Sequence, residues 1–153
     1  KSIHCKRILV DQVYSSCYAC ICLKKALRKN IRKGQVLVDK KENQIVVYEF
    51  DALISILKSN SVTIKVGYQP VLHVSTIRQS AKIIKILHKY DNVKNTNNIQ
   101  DNILRTGDKA LVRFKFCYRP EYIKEGNKIL LAEGRIKVIG QVKKIHNIIK
   151  IKN

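Results

Sequence analysis

The chain has 153 residues, of which 45% are hydrophobic, and 31 Lys and Arg against 11 Asp and Glu give it a net charge of +20. This length suffices for one ordinary hydrophobic core, or for one small domain and part of another. Lys or Arg interrupts every apolar run well before the roughly 18 residues that a membrane span needs, which excludes a transmembrane helix.

The excess of positive charge predicts a polyanionic partner, and RNA or DNA is the usual one. An alternative stays open, because 23 of the 31 basic residues are Lys. A bias toward Lys, Ile and Asn would fill solvated faces with charge whatever the function. The eight Arg are the better guides to specific sites, since a guanidinium can bind a phosphate through two parallel hydrogen bonds.

The first part of the chain predicts short strands separated by turns. These strands cover residues 7–10, 18–24 and 35–38. Residues 24–34 fit one helical turn, with Gly34 either ending the helix or turning the chain into the next strand. The polar residues 39–44 then interrupt the pattern. We therefore expect residues 1–43 and 44–153 to form separate domains.

The second part predicts an antiparallel barrel. Tyr48, Phe50, Ala52, Ile54 and Ile56 share one face of a long strand because side chains alternate along a strand. Further strands are predicted at residues 62–66, 71–75, 81–88, 109–117, 128–131 and 136–145. No crossover helix separates them, so we expect an all-β fold, a Greek-key antiparallel barrel preceded by part of another barrel. The Asn-rich residues 91–102 predict a flexible insertion, and the tail from His146 is too short and basic to fold alone.

The cysteines do not form a recognisable metal or disulfide pattern. Cys17 and Cys20 have the spacing of a zinc or thiol-redox pair, but no second such pair exists. On a strand, Cys20 and Cys22 would point to the face opposite to Cys17. We therefore expect reduced thiols and no metal site.

Short motifs near the end of the chain occur in a characteristic order. Thr106-Gly107-Asp108 comes first, Arg119-Pro120 follows, and Glu133-Gly134-Arg135 is last. In this order they resemble the third domain of translational GTPases. Residues 1–39 resemble the end of domain II of elongation factors Tu and 1-alpha, and residues 46–145 resemble a complete domain III. Matches at residues 1–4, 75–81 and 104–110 are similar to the GTP-binding protein 1 and 2 family.

The resemblance implies a cytoplasmic, monomeric translation factor that binds aminoacyl-tRNA and the ribosome and hydrolyses GTP. GTP and Mg²⁺ would bind in an N-terminal domain, and this sequence lacks the phosphate-loop motif. Since the chain starts at Lys1 and has no Met, we expect a C-terminal piece of a longer protein. We expect this piece to have no catalytic activity and no cofactor, to pack against the GTP-binding domain of the parent, and to have no membrane partner.

The resemblance also implies which residues contact the T-stem of tRNA. These RNA-binding residues are Arg119, Ser80, Gly134, Arg78, Gln79 and Arg135. Arg119 can bind a phosphate through two bonds, Ser80 can bind a phosphate or a 2′-hydroxyl, and Gly134 lets a backbone N–H approach closely. The alternatives are that Arg78 and Gln79 bond barrel loops or face the GTP-binding domain, and that Gly134 serves only its turn.

Two other functions remain open from the sequence. The first is a freestanding basic barrel that binds ribosomal RNA. The second is a protein-interaction module that links the parent factor to RNA-decay machinery, using apolar residues such as Leu111 and Ile139.

Overall fold

The computed structural model describes residues 2–39, 41–42, 45–57, 63–90, 103–133 and 136–150. The chain divides into two compact units, Lys1–Arg32 and Lys33–Asn153. Both contain antiparallel sheets, and the second contains a closed barrel, which confirms the predicted all-β fold class. The domain boundary that the sequence predicts, between residues 43 and 44, stays a prediction.

The first unit is a small three-stranded sheet without buried residues. Its strands are Ser2–Cys5 (β1), Ile8–Val10 (β2) and Cys20–Cys22 (β3), in the order β2-β1-β3. Lys6 and Arg7 have φ angles of 50° and 69° and form the turn between β1 and β2, so Arg7 does not start a strand as predicted. The predicted helical turn is confirmed as a short 3-10 helix, Arg28–Asn30. It ends before Gly34, whose φ of 92° belongs to a separate turn, so Gly34 is not the helix stop. No side chain in residues 2–32 is buried.

The predicted strand at residues 35–38 is wrong. The structure assigns no strand to this segment, and Leu37 is largely exposed. A run of Val and Leu has strand propensity, but a strand also needs a neighbouring backbone to pair with, and local sequence does not supply one.

The described residues of the second unit form eight further strands: Ile45–Ile56 (β4), Thr63–Lys65 (β5), Val71–Val74 (β6), Ile77–Tyr90 (β7), Ile103–Arg105 (β8), Lys109–Phe116 (β9), Lys128–Glu133 (β10) and Ile136–Lys150 (β11). Six of them close the barrel in the order β10-β11-β4-β9-β7-β6. The pairs within the barrel are antiparallel. Strands β5 and β8 pair separately as a two-stranded ribbon.

The barrel core confirms the predicted inward faces. Phe50 on β4 stacks on Phe114 of β9 with ring centroids 5.6 Å apart, and Phe116 lies 5.3 Å from Phe50. The ribbon contributes Ile64 and Leu104, which are fully buried. Alternation of apolar residues along β4 and β9 therefore places one face of each strand in a shared core.

The C-terminal strand is longer than the sequence predicts. Beyond residue 145, where the predicted strand ends, it continues to Lys150 and pairs with the start of β4, so the predicted end of this strand is wrong. The tail does not fold alone, because β4 begins early enough to supply its hydrogen-bond partners. The predicted insertion at residues 91–102 lies outside the described residues.

Strand β7 lies between β6 and β9 in the barrel, and this position sets the candidate site. Its first residues pair with β6, with Ser80 opposite Val71. Its pairing with β9 begins at Ala81, opposite Phe116, while the N–H of Ala81 still donates to the carbonyl of Pro70 on the other edge. Ser80 therefore lies at the end of the pairing with β6, next to the start of the pairing with β9.

Candidate nucleic-acid interface

Three of the predicted RNA-binding residues are consecutive on β7 and point to opposite sides of the barrel wall. Arg78 is exposed and Ser80 is half-buried, whereas Ile77, Gln79 and Ala81 are buried. Because side chains alternate along a strand, Arg78 and Ser80 share the outer face and Gln79 points inward.

Gln79 holds the loop that follows β9. Its Nε2 donates to the carbonyl of Arg119 at 3.1 Å and to Oε1 of Glu121 at 3.0 Å. Its Oε1 accepts from the backbone N–H groups of Tyr118 and Arg119 at 3.2 and 2.9 Å. These four hydrogen bonds use the amide on both sides, and Gln79 is only 5% exposed. This geometry corresponds to the alternative in which Gln79 bonds a barrel loop, and it leaves the amide turned away from solvent.

Glu121 completes the support of this loop. Its carboxylate is buried, accepts from Gln79, and lies 3.4 Å from Nε of Arg119. Its backbone pairs with Val47 of β4 through two hydrogen bonds of 2.9 and 3.1 Å. The loop is therefore tied to both β7 and β4, so the backbone position of Arg119 is fixed from two sides.

Arg119 combines a fixed backbone with an accessible side chain. The side chain is 51% exposed although its Nε approaches Glu121. Pro120 follows it and restricts its backbone to extended conformations. A guanidinium held on one edge and solvated on the other can still bind a phosphate oxygen through its remaining N–H groups.

The structure brings Ser80, Gln79 and Arg119 together and places Arg78 beside them. The N–H of Cys117 donates to the carbonyl of Ser80 at 3.0 Å, which joins the start of the loop to β7. Gly134 and Arg135 lie outside the described residues. As RNA contacts, all six predicted residues stay predictions.

Two lysines that the sequence patterns did not single out extend this basic surface. Lys82 follows Ser80 on the outer face of β7, and it lies directly opposite Lys115 of β9. Both are exposed. Their alternation with buried neighbours was visible in the sequence, but their pairing depends on the register between β7 and β9.

The charges on the neighbouring strands are partly neutralised by acidic residues of β4. Arg113 donates to Asp51 through Nε at 2.7 Å and through Nη2 at 3.0 Å, and Nε2 of His146 lies 2.6 Å from the same carboxylate. Burial alone would raise the pKa of Asp51, but the hydrogen bonds and charges of Arg113 and His146 outweigh it and hold this pKa below its ordinary value. The hydrogen bonds that Arg113 donates to Asp51 raise the pKa of Arg113, so the pair stays ionised.

In the part of the chain that the structure describes, no group of three His, Cys, Asp or Glu could hold a metal ion. Cys17 and Cys20 are exposed free thiols. Over the same residues, no helix is both long and apolar enough to cross a membrane.

Comparisons with known proteins give a consistent family. Residues 44–146 match the family described as Elongation factor Tu C-terminal domain. The chain is 37% identical over 145 residues to GTP-binding protein 1 of Xenopus laevis. The matched segment covers 95% of this chain and 20% of that protein. It is 40% identical over 115 residues to GTP-binding protein 2 of Homo sapiens, covering 75% of this chain and 17% of that protein.

A more distant relative belongs to the elongation factors themselves. Elongation factor 1-alpha of Aeropyrum pernix is 38% identical over 90 residues, which is 58% of this chain and 20% of that protein. The chain thus spans about a fifth of the length of the curated relatives that it matches.

Proposed function

Because the chain belongs to the elongation factor Tu C-terminal domain family of translational GTPases, we propose that its barrel binds the T-stem and acceptor region of tRNA and contributes to ribosome binding. In this proposal the piece is not catalytic: GTP and Mg²⁺ bind, and GTP is hydrolysed, in another domain of a longer, cytoplasmic and monomeric protein. Its barrel packs against that domain.

The observation that carries the proposal is the arrangement of Arg119. Its backbone is fixed by Gln79 and by the pairing of Glu121 with β4, while its side chain is 51% exposed and its guanidinium reaches solvent. A guanidinium on a fixed backbone suits a phosphate of an RNA helix, which is recognised mainly by shape and backbone. The net charge of +20 supplies attraction at longer range.

The test compares Arg119→Ala with Arg105→Ala in tRNA binding, measured by fluorescence anisotropy at several salt concentrations. Both changes remove one exposed Arg from the same unit. Arg119→Ala should weaken binding by about 1–3 kcal/mol, the range for a charge-assisted hydrogen bond, and lower the salt slope by roughly one phosphate. Arg105→Ala should cost much less. Equal losses of tRNA affinity in the two variants would mean that the positive charge attracts RNA only nonspecifically, and the T-stem assignment would fail.

A second candidate function, contact with a protein partner, is supported by two apolar side chains on the outside of the barrel. Leu130 of β10 and Ile139 of β11 lie directly opposite each other and are 42% and 47% exposed. Leu111, the other residue that the sequence suggested, is half-buried.

Nuclease treatment separates this candidate from RNA binding. In a pull-down with the chain, a direct protein partner should survive nuclease, be lost with Ile139→Ser and be kept with Arg119→Ala. If nuclease removes every partner, RNA bridges them and this second candidate is rejected.

A further inference from the structure

The outer face formed by β7 and β9 carries a regular two-column array of side chains. The register places Lys82 opposite Lys115, Lys85 opposite Arg113, His88 opposite Leu111 and Tyr90 opposite Lys109. Two register shifts in β7 keep successive pairs on this face, because each inserts one extra residue.

The basic residues of the two columns differ in their acidic partners. On β9, Lys115 pairs with Glu49 of β4 at 3.1 Å and Arg113 pairs with Asp51 of β4 at 2.7 Å. Strand β7 contains no acidic residue, and among the described residues Lys82 and Lys85 have no ion-pair partner. Both lysines are exposed, so their charges face solvent, where a polyanion can reach them.

The far end of the β7 column is aromatic. The rings of His88 and Tyr90 meet edge to face, with centroids 4.5 Å apart and planes at 80°. Both side chains are exposed, Tyr90 by 48%. Because the two rings meet edge to face, they leave ring surface on which a further planar group can stack. Lys109 lies directly opposite Tyr90 and supplies another positive charge at this end.

From this array we infer that the outer face of β7 binds a single-stranded RNA segment, with its phosphates along Lys82 and Lys85 and a base stacked on the His88–Tyr90 pair. Lysines supply sequence-independent attraction to phosphates, and aromatic rings stack on any unpaired base. A double helix would not use the rings, since its bases are already stacked on each other. Because two extra residues are inserted, Lys82 to Tyr90 spans only the six residue steps from Lys115 to Lys109 on β9, which at about 3.4 Å per residue is roughly 20 Å, enough for a site of about four nucleotides.

This inference concerns a different form of RNA from the proposed tRNA contact, and its stacking residues His88 and Tyr90 lie at the opposite end of β7 from Ser80. The two can therefore fail separately. A labelled oligouridylate of about eight nucleotides probes the single-stranded site, and an RNA hairpin without unpaired overhangs probes the helical one.

The experiment measures the affinity of both probes for the full chain and for three variants. Tyr90→Ala should weaken oligouridylate binding by about tenfold, in the range for the loss of one stacked base. Tyr90→Phe should retain binding within about twofold because the ring remains. Replacing Lys82 and Lys85 together by Ala should lower the salt slope for the oligonucleotide by between one and two phosphates.

Controls decide between a placed site and general attraction. Arg119→Ala should leave oligouridylate binding within about twofold of the unchanged chain, and Tyr90→Ala should do the same for the hairpin. The inference is overturned if the chain does not bind oligouridylate, if Tyr90→Ala leaves that binding unchanged, or if it weakens both probes equally. Thermal melting of each variant detects misfolding, and binding retained by Tyr90→Phe together with binding lost by Tyr90→Ala identifies stacking as the cause.

Discussion

Asp51 and Arg113 form an ion pair on the outer face of the barrel. We therefore predict that Asp51→Asn destabilises the second unit at neutral pH. Asn has nearly the same shape as Asp, but it carries no charge and presents an NH₂ group where one carboxylate oxygen accepts hydrogen bonds. Asp51 is 5% exposed and accepts two hydrogen bonds from Arg113 and one from His146. The change therefore removes a two-bond contact with a guanidinium and places a donor against other donors.

The expected loss in the free energy of unfolding depends on how exposed the side chain of Arg113 is. Breaking a buried ion pair costs about 3–5 kcal/mol when the remaining charge cannot reach water. The side chain of Arg113 is 31% exposed, so water partly compensates for the lost carboxylate. We expect a loss of about 2–3 kcal/mol in the free energy of unfolding, close to the value of one or two charged hydrogen bonds. For a unit of this size, about 4 °C of melting temperature corresponds to each kcal/mol, which predicts a fall of roughly 8–12 °C.

The dependence on pH has a definite sign. The folded protein lowers the pKa of Asp51 below its ordinary value of 3.8, so its ionised form stabilises the fold. This contribution of Asp51 to the free energy of unfolding is complete above the pKa that Asp51 has in the unfolded chain. It disappears as the pH falls through the lower pKa that Asp51 has in the folded chain. The difference in melting temperature between the original chain and Asp51→Asn should therefore be largest near pH 7 and shrink below about pH 4.

The assay is thermal unfolding followed by circular dichroism between neutral pH and about pH 3, with Asp11→Asn as the control. Asp11 is exposed and its replacement makes the same change in formal charge. The control should shift the melting temperature by no more than about 2 °C. The reasoning is refuted if Asp51→Asn also shifts it by less than that at pH 7, or if its effect grows on acidification.

Two further changes test how the barrel wall and the site are held. Gly140→Ala should cost about 2–3 kcal/mol in urea unfolding, because a Cβ there would lie 2.5 Å from the carbonyl oxygen of Leu53 and 3.0 Å from Ile129 and Ile54 side-chain atoms. The control is Gly67→Ala, where φ is 94° but no atom lies within 4 Å of the added Cβ, and it should lower the free energy of unfolding by only about 1 kcal/mol. If Gly140→Ala lowers it by no more than this control does, close packing at Gly140 is contradicted. Gln79→Ala should destabilise the chain by about 3 kcal/mol and speed amide exchange at Tyr118 and Arg119 at least about tenfold, since both N–H groups lose their acceptor. Unchanged exchange at these two amides would mean that the loop is held without Gln79.

The sequence was sufficient to predict elements whose side chains alternate between core and solvent. On β9, Ala110, Val112, Phe114 and Phe116 are all buried as the pattern predicts. Gln79 follows the same alternation, because it lies in phase with the buried Ile77 and Ala81. Its inward direction could have been predicted, but its partners could not, because they belong to a loop about forty residues further along the chain.

The errors have a common physical origin in pairing between distant segments. Residues 35–38 have strand propensity and yet no strand, whereas the basic residues after His146 form a strand because β4 is available. The opposition of Lys82 and Lys115 likewise depends on the register between β7 and β9, and register shifts are not visible in hydrophobic patterning.

Closure of the barrel by its last strand has a consequence for how the chain reaches its native state. Strand β11 joins β10, its immediate neighbour in sequence, to β4, which starts the barrel at Ile45. The hydrogen bonds between β4 and β11 therefore connect the first and the last strand of the barrel. The conformational entropy of the whole intervening chain is lost before they can form. Until then β4 and β10 each present an open edge of unpaired N–H and C=O groups, which strands of other molecules can bind. Folding is thus slow relative to a helical protein of equal length, and a chain that ends before residue 136 keeps both edges open and is prone to aggregate.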